Sequence, residues 1–545
     1  MVNNIRKTLS KLNGRLPLKL AAALLAGSSL IASLLGIFRD RLFNSAYYTT
    51  YPTGADAYTV AFSVPDFMFI ILVSGALSVS FIPVFNQRLG TGNKKSAWEL
   101  STSIINLMAI VTLIASVLII IFADPLVRYV VGPGLDESSR SLAVSMMRVI
   151  AVSPFLFAVA TVITSMQQAV GRFAFFALAP ALYNVGIIIG LLFFTNGINI
   201  FGWQIFDGGI MGVALGVVLG AMLQLIVSTF GLFGMGFDYR FQIFWKNKGF
   251  RQVLRLLPPR SLDQGIDYVN SIVEVNLASR MVAGSVRAYQ QVNSLTYVPI
   301  NLIGVAISTA AFPKMTERLA QGRPDLFKSE LQTVLRVIIW LALPVTVIAI
   351  FARGYLVNFI VNGGDPYMAS IFAILAISIL FRSVYFISAR SFYAHQDTKT
   401  PLYISLFTIG LNITLAVWFT MGLGMGVQGL AWAAVIVSIV EMSLLFYVMS
   451  QRIPGLFDVV FVHAIARMAS AAGFTSIITY IALAFLPLSA NDQSFWATFP
   501  KFAFVAGIAG ICYIAFSRLF KLPEVDPIIS RIQKIFFKAP AVKDK

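Results

Sequence analysis

Runs of predominantly apolar residues, each near the length needed to cross roughly 30 Å of hydrocarbon, recur along this chain and dominate every other signal in it. Read between polar interruptions they number fourteen, centred roughly on residues 28, 70, 110, 156, 184, 222, 270, 302, 344, 378, 411, 439, 478 and 511. In lipid such a segment must satisfy its backbone hydrogen bonds internally, and a helix does this. A membrane barrel would alternate polarity over about ten residues, whereas these runs are continuous Leu, Ile, Val, Phe and Ala. The expected fold is therefore an all-α polytopic membrane protein of about fourteen helices. Composition agrees: 58% of the 545 residues are hydrophobic, 12% are charged and the mean hydropathy is +0.82, which excludes a water-soluble enzyme. The first run, Leu18 to Phe38, follows Arg6, Lys7, Lys11, Arg15 and Lys19 and reads as a retained helix rather than a cleaved signal.

The net charge of +18 could suggest nucleic acid, but the basic residues sit between the apolar runs. Even-numbered loops and the termini are rich in them, as in Arg88, Lys94 and Lys95, in Lys246, Lys248 and Arg251, and in Lys314, Arg318 and Arg323. Odd-numbered loops hold few, chiefly Arg39, Arg41, Arg128, Arg140, Arg280, Arg287, Arg353 and Lys501. By the positive-inside rule both termini then face the cytoplasm, and no nucleic-acid partner is expected. A single Cys512, with only His395 and His463 besides, leaves no metal cluster to expect.

An internal repeat organises the spans. Ala76, Ser78, Pro83, Arg88, Leu89 and Gly92 recur 230 positions later as Ala306, Ser308, Pro313, Arg318, Leu319 and Gly322. A displacement of six spans preserves orientation, as in transporters built from parallel repeats. The expected organisation is a cytoplasmic segment over 1–17, an N-lobe over 18–236, a basic linker over 237–259, a C-lobe over 260–450, a terminal helix pair over 451–520 and a basic tail over 521–545.

Ionisable residues inside spans cost at least a few kcal/mol in lipid and direct attention to polar cavities. In span seven Arg260, Asp263, Asp267, Asn270 and Glu274 recur at steps of three and four along one helical face. They read either as an interlock with a neighbouring helix or as the lining of a cavity. Arg39 and Asp40 end span one, and Asp56 opens span two; Arg39 could present a planar charged fork to a phosphate while a carboxylate orients it, or the set could be an interfacial ion pair capping helix ends. Arg148 is expected to be buried and paired. No GxSxG, HExxH or Cys-plus-His arrangement is visible, so the chain reads as a non-enzyme.

Several stretches resemble the MurJ (MviN) family of bacterial lipid II flippases, within the multidrug, oligosaccharidyl-lipid and polysaccharide exporter superfamily. They are Gly36 to Asp40, Asp56 to Pro65, Gly75 and Ala76 with Phe81 and Pro83, Gly304 with Phe312 and Pro313, and Phe392 to Pro401, the most specific. The resemblance covers spans one to twelve. It implies two bundles that open alternately to each side of a bacterial cytoplasmic membrane and move an undecaprenyl-diphosphate-linked peptidoglycan precursor outward, in the company of cell-wall synthesis proteins. It implies substrate-binding roles for Arg39, Asp40 and Asp56, to which span seven adds Arg260. It implies coupling-cation roles for Glu274 and Asp397, with Asp263 and Asp267 as further candidates; no cofactor is expected, and sodium, protons or the membrane potential are the candidate energy sources. This sequence departs from the family at Ser33, Phe69 and Ser294, where members place cavity arginines.

Those departures keep a runner-up in view, an exporter of another polyprenyl-linked glycan or of a cationic amphiphile. A glycan polymerase would need a large external loop with catalytic carboxylates, and the outward loops are short and acid-poor. A non-transporting scaffold is compatible with the repeat.

Overall fold

The computed structural model describes residues 18–200, 203–489, 492–527 and 529–530. By packing, the chain divides into two compact units, Met1–Arg287 and Ala288–Lys545. The first contains α1 (Leu18–Phe43), α2 (Pro52–Phe69), α3 (Gly75–Gly90), α4 (Lys94–Pro125), α5 (Glu137–Ile150), α6 (Ser153–Ala169), α7 (Ala174–Phe193), α8 (Met211–Phe230) and α9 (Lys248–Ser279). Helix α10 (Ser285–Ile300) starts in the first unit and continues into the second. The second holds α11 (Ala306–Ala320), α12 (Pro324–Phe351), the short α13 (Arg353–Asn358), α14 (Pro366–Ala394), α15 (Lys399–Val417), α16 (Val427–Arg452), α17 (Val459–Phe485) and α18 (Phe495–Leu519).

The protein is a multi-pass helical membrane protein. Among the described residues twelve helices are long and apolar enough to cross a bilayer. The places expected for spans one and seven are taken by α1, whose stretch from Leu20 to Phe38 is uncharged, and by α9, whose charges exclude it from that set. A departure from the all-α expectation is a small antiparallel hairpin between α7 and α8, β1 (Ile198–Ile200) with β2 (Trp203–Phe206), pairing Ile200 with Trp203. Large apolar side chains such as Ile121, Phe193, Phe485 and Ile511 lie on the outside, the arrangement expected of a surface solvated by lipid tails.

Helix starts follow local chemistry. Asn93, Asp136, Asn247, Asp365, Asp458 and Ser494 each accept a backbone N–H from the first turn that follows, satisfying donors that a helix leaves open. In the first unit the core gathers Phe81, Phe85, Leu100, Ile104 and Met166, and α9 joins it through Phe250, Val253 and Leu257. Span seven thus packs with the first unit, although the sequence reading put it at the head of the C-lobe. Helices α7 and α8 approach closely at Gly186, Gly190, Gly216 and Gly220, where an added Cβ would collide with the facing backbone. In the second unit the core includes Phe327, Leu335, Ile338, Phe392 and Tyr513. Helix α18 is tied to α12 by Trp340 Nε1 donating to Ser517 Oγ at 3.0 Å, and the turn that follows α18, Pro523–Val525, by an Arg336–Glu524 ion pair at 2.5 Å.

The repeat seen in sequence has matching backbone geometry. A π-helical turn, Ile70–Ser74, leads into α3, and another, Asn301–Val305, leads into α11. At the end of α3 the Asn93 N–H donates to Arg88 O at 3.1 Å and the Gly92 N–H to Leu89 O at 3.0 Å. At the end of α11 the Arg323 N–H donates to Arg318 O at 3.0 Å and the Gly322 N–H to Leu319 O at 3.0 Å. Both glycines have positive φ, +76° and +67°, as this helix stop requires.

Candidate functional site

The end of α1 carries the charges that the sequence singled out. Arg39 and Asp40 fall on consecutive helical positions, and their side chains meet: Arg39 Nη2 and Nε donate to Asp40 Oδ1 at 2.9 and 3.1 Å. The remaining arm, Nη1, donates to Asn184 Oδ1 of α7 at 2.9 Å. The Asn184 amide is itself fixed, because Nδ2 donates to the carbonyl of Ala32 at 3.1 Å. Arg39 keeps 25% of its side chain exposed, and these bonds fix the orientation of its guanidinium.

Asp40 serves a second cation. Arg287, at the start of α10, brings Nη2 to 3.4 Å from Asp40 Oδ1, donates Nε to Asn44 Oδ1 at 3.0 Å and lies 4.4 Å over the Phe43 ring. Its side chain is 8% exposed. The sequence reading counted Arg287 among loop charges and passed over Asn44 and Asn184. Gly284 and Ser285 just before Arg287 mark a helix start and are the signal that could have placed it inside the fold.

Asp56 stands at a helix end, as the capping alternative had it. It is buried, and its two oxygens accept the backbone N–H groups of Gly284 at 2.7 Å and Arg287 at 2.8 Å. A carboxylate reaching from α2 thereby caps α10, where helix donors and the helix dipole both favour negative charge. Gly284 has φ +89°, a conformation side chains rarely adopt, and a Cβ there would press on Tyr48 and Pro52 at 3.2 Å. The Arg39 and Arg287 guanidiniums thus both lie against the Asp40 carboxylate, with Asp56 at the backbone of Arg287.

Of the span-seven candidates, Glu274 is buried and accepts from Asn270 Nδ2 at 3.0 Å. The side chains of Arg260, Asp263 and Asp267 lie outside the described residues. Asp397, in the second unit, caps α15 through the N–H groups of Lys399 and Thr400, takes the Thr400 hydroxyl at 2.6 Å and pairs with Arg452 at 2.6 Å. The Thr400 hydroxyl and N–H, helped by Arg452, hold its carboxyl well below the usual carboxylate range. Arg148, expected to be buried, is exposed and donates to the Ile120 carbonyl at 3.3 Å, because its helix turns that side outward. At the three departures, Ser33 is exposed, Phe69 packs on the Phe157 ring and Ser294 bonds back to the Gln290 carbonyl.

Known proteins share this construction. The family described as lipid II flippase MurJ matches residues 46–499. A probable lipid II flippase MurJ of Bdellovibrio bacteriovorus is 25% identical over 452 residues, spanning 80% of this chain and 83% of that protein. Its counterpart in Thermotoga maritima is 25% identical over 507 residues, spanning 91% and 95%. Among solved structures, a lipid II flippase MurJ in an inward closed conformation superposes with a TM-score of 0.73 at 22% identity, over 91% of this chain and 98% of that one. An inward-facing MATE-family multidrug transporter shares the fold at a TM-score of 0.66 and 16% identity, over 81% and 99%. The match running through most of the chain, from the π-helical turn after α1 to the start of α18, settles its kinship: this chain belongs to the lipid II flippase MurJ family.

Proposed function

We propose that this protein is a transporter that moves lipid II, a polyprenyl-diphosphate-linked glycan, from the inner to the outer leaflet of a bacterial cytoplasmic membrane, with both termini in the cytoplasm. Membership of the family supports the reaction, and the loop charges support the orientation. The observation that carries the site is the sharing of Asp40 between Arg39 and Arg287. A diphosphate offers several acceptor oxygens to the planar forks and can take over from Asp40 as their counter-ion. Arg287 supplies one cation toward the three missing at Ser33, Phe69 and Ser294, and family membership favours lipid II over a cationic amphiphile.

Buried Glu274 with Asn270 remains our candidate for a coupling cation, alongside Asp263, Asp267 and Asp397. Cell-wall synthesis proteins are the proposed partners. Replacement of the native flippase in depleted cells tests the assignment. Growth and outward appearance of lipid II with the parent chain, lost with Arg39→Ala at equal abundance, is the expected result; absence of lipid II export by the abundant, folded parent chain would overturn it.

A further inference from the structure

A half-buried carboxylate that plays no part in the first unit's cluster belongs to the second. Glu441 stands on α16, fourteen residues beyond Val427 and eleven short of Arg452, so it is about 21 Å from one end of the helix and about 16 Å from the other. That is mid-span, where a charged carboxylate costs about 2.5–3.5 kcal/mol on insertion scales.

Polar groups from two neighbouring helices converge there. Ser405, Thr408 and Asn412 recur at steps of three and four along α15. Thr408 and Asn412 are buried. Ser405 Oγ donates to Glu441 Oε1 at 3.1 Å, and the Thr408 hydroxyl has both the Ser405 carbonyl, at 3.1 Å, and Glu441 Oε1, at 3.3 Å, within reach. Tyr385 of α14 extends the chain, its hydroxyl 3.3 Å from Ser405 Oγ. Other buried residues of α14 and α16 include Ile379, Val384, Ala434 and Leu445, together with the small polar Ser378, Ser383, Ser388 and Ser438.

We propose that Glu441, with Ser405, Thr408 and Tyr385, is an intramembrane proton-binding site of the second unit. One proton taken from the aqueous phase converts the carboxylate to the neutral acid and removes the cost of burying its charge. Hydroxyls suit that exchange, since each can donate to the carboxylate and can turn to accept from the acid. Three helices meet at the site, so a change in its charge alters the packing preference of the whole lobe.

Other titratable groups stand on the packed elements, Tyr367 and Tyr393 of α14 among them. On α14, Arg382 donates to the Tyr297 hydroxyl at 3.1 Å, and Arg390 donates to the Val305 carbonyl at 3.0 Å and to Ser308. On α15, Tyr403 is exposed and Lys399 lies at the first turn. On α16 itself Tyr447 is exposed and Arg452 pairs with Asp397. The π-helical segment Trp418–Gly422, also packed on α16, holds no titratable group.

The test uses the full chain in liposomes and needs no lipid II, so its failure is separable from failure of the flippase reading. Infrared difference spectra across a pH series should show a protonated-carboxyl band that is absent from Glu441→Gln and displaced in Thr408→Val. Treatment with a hydrophobic carbodiimide should modify Glu441 in the parent fastest at acid pH and equally in sodium and potassium salts. A carboxyl band unchanged by Glu441→Gln would overturn the proposal. Protection from the carbodiimide by sodium alone would overturn it in favour of a sodium site.

Discussion

Arg39 Nη1 donates to Asn184 Oδ1 at 2.9 Å across 145 positions of sequence, tying the charged end of α1 to the middle of α7. The contact aims a guanidinium that would otherwise sample many rotamers. Asn184→Ala should therefore lower flipping about tenfold, the equivalent of one charge-assisted hydrogen bond, with little change in abundance. Asn184→Asp keeps the acceptor but adds a competing anion, so it should weaken lipid II binding further. Arg39→Lys should restore only part of the activity lost in Arg39→Ala. Reconstituted flipping with binding measured in parallel checks all four; full activity of Arg39→Ala would assign the pair to interfacial structure.

Asp56 should behave in the opposite way, as a residue of stability. Asp56→Ala strips two buried backbone donors of their acceptor, at about 1–3 kcal/mol each. Thermal unfolding in detergent should show a marked loss for Asp56→Ala and an intermediate one for Asp56→Asn, whereas Arg39→Ala should unfold near the parent. Equal midpoints for Asp56→Ala and the parent would refute the capping role.

These two residues show what was legible in the sequence. Span positions follow from hydropathy and the helix stops at Gly92 and Gly322 from the repeat, since both are local properties of the chain. The pairing of Arg39 with Asp40 was also legible, being adjacent. Arg287, Asn44 and Asn184 were not, because their role depends on which helices pack together, and a lone Arg beside a loop looks like a topology signal. For Asp56 helix-end capping was one of two readings, but which helix it caps was not legible, since its partners are backbone N–H groups that no residue identity announces. Glu441 passed unnoticed as one acid in a long apolar run, though its position in mid-span was the available signal.

The stop at the end of α14 uses the same bonds as that at the end of α6. Gly171 provides the left-handed residue in the first unit, with φ +78°, and Gln396 provides it in the second, with φ +59°. A side chain in that region costs about 1–2 kcal/mol, part of which a glycine returns as lost chain entropy. Gln396→Gly should therefore stabilise the second unit by about 0.5–1 kcal/mol. Denaturant titration of the reconstituted protein would measure it, and a destabilised Gln396→Gly variant would show that the Gln396 side chain contributes more than the backbone strain costs.

Asp397 yields a prediction in pH. Its folded carboxyl lies below the ordinary value, first through the Thr400 hydroxyl and N–H and then through Arg452, so the folded state holds the ionised form more tightly than the unfolded chain does. The resulting stability is present in full above the unfolded value of about 4 and disappears as pH falls through the lower folded value. Asp397→Asn lacks the titrating group. The parent should exceed it in thermal midpoint by a constant margin at neutral and mildly acid pH, and the margin should shrink below about pH 4. Thr400→Val should erode the margin more than Arg452→Gln, because Arg452 is partly exposed and its attraction is screened. A margin that stays constant into strong acid would mean that the cap acts through its shape and hydrogen bonding, with no contribution from its charge.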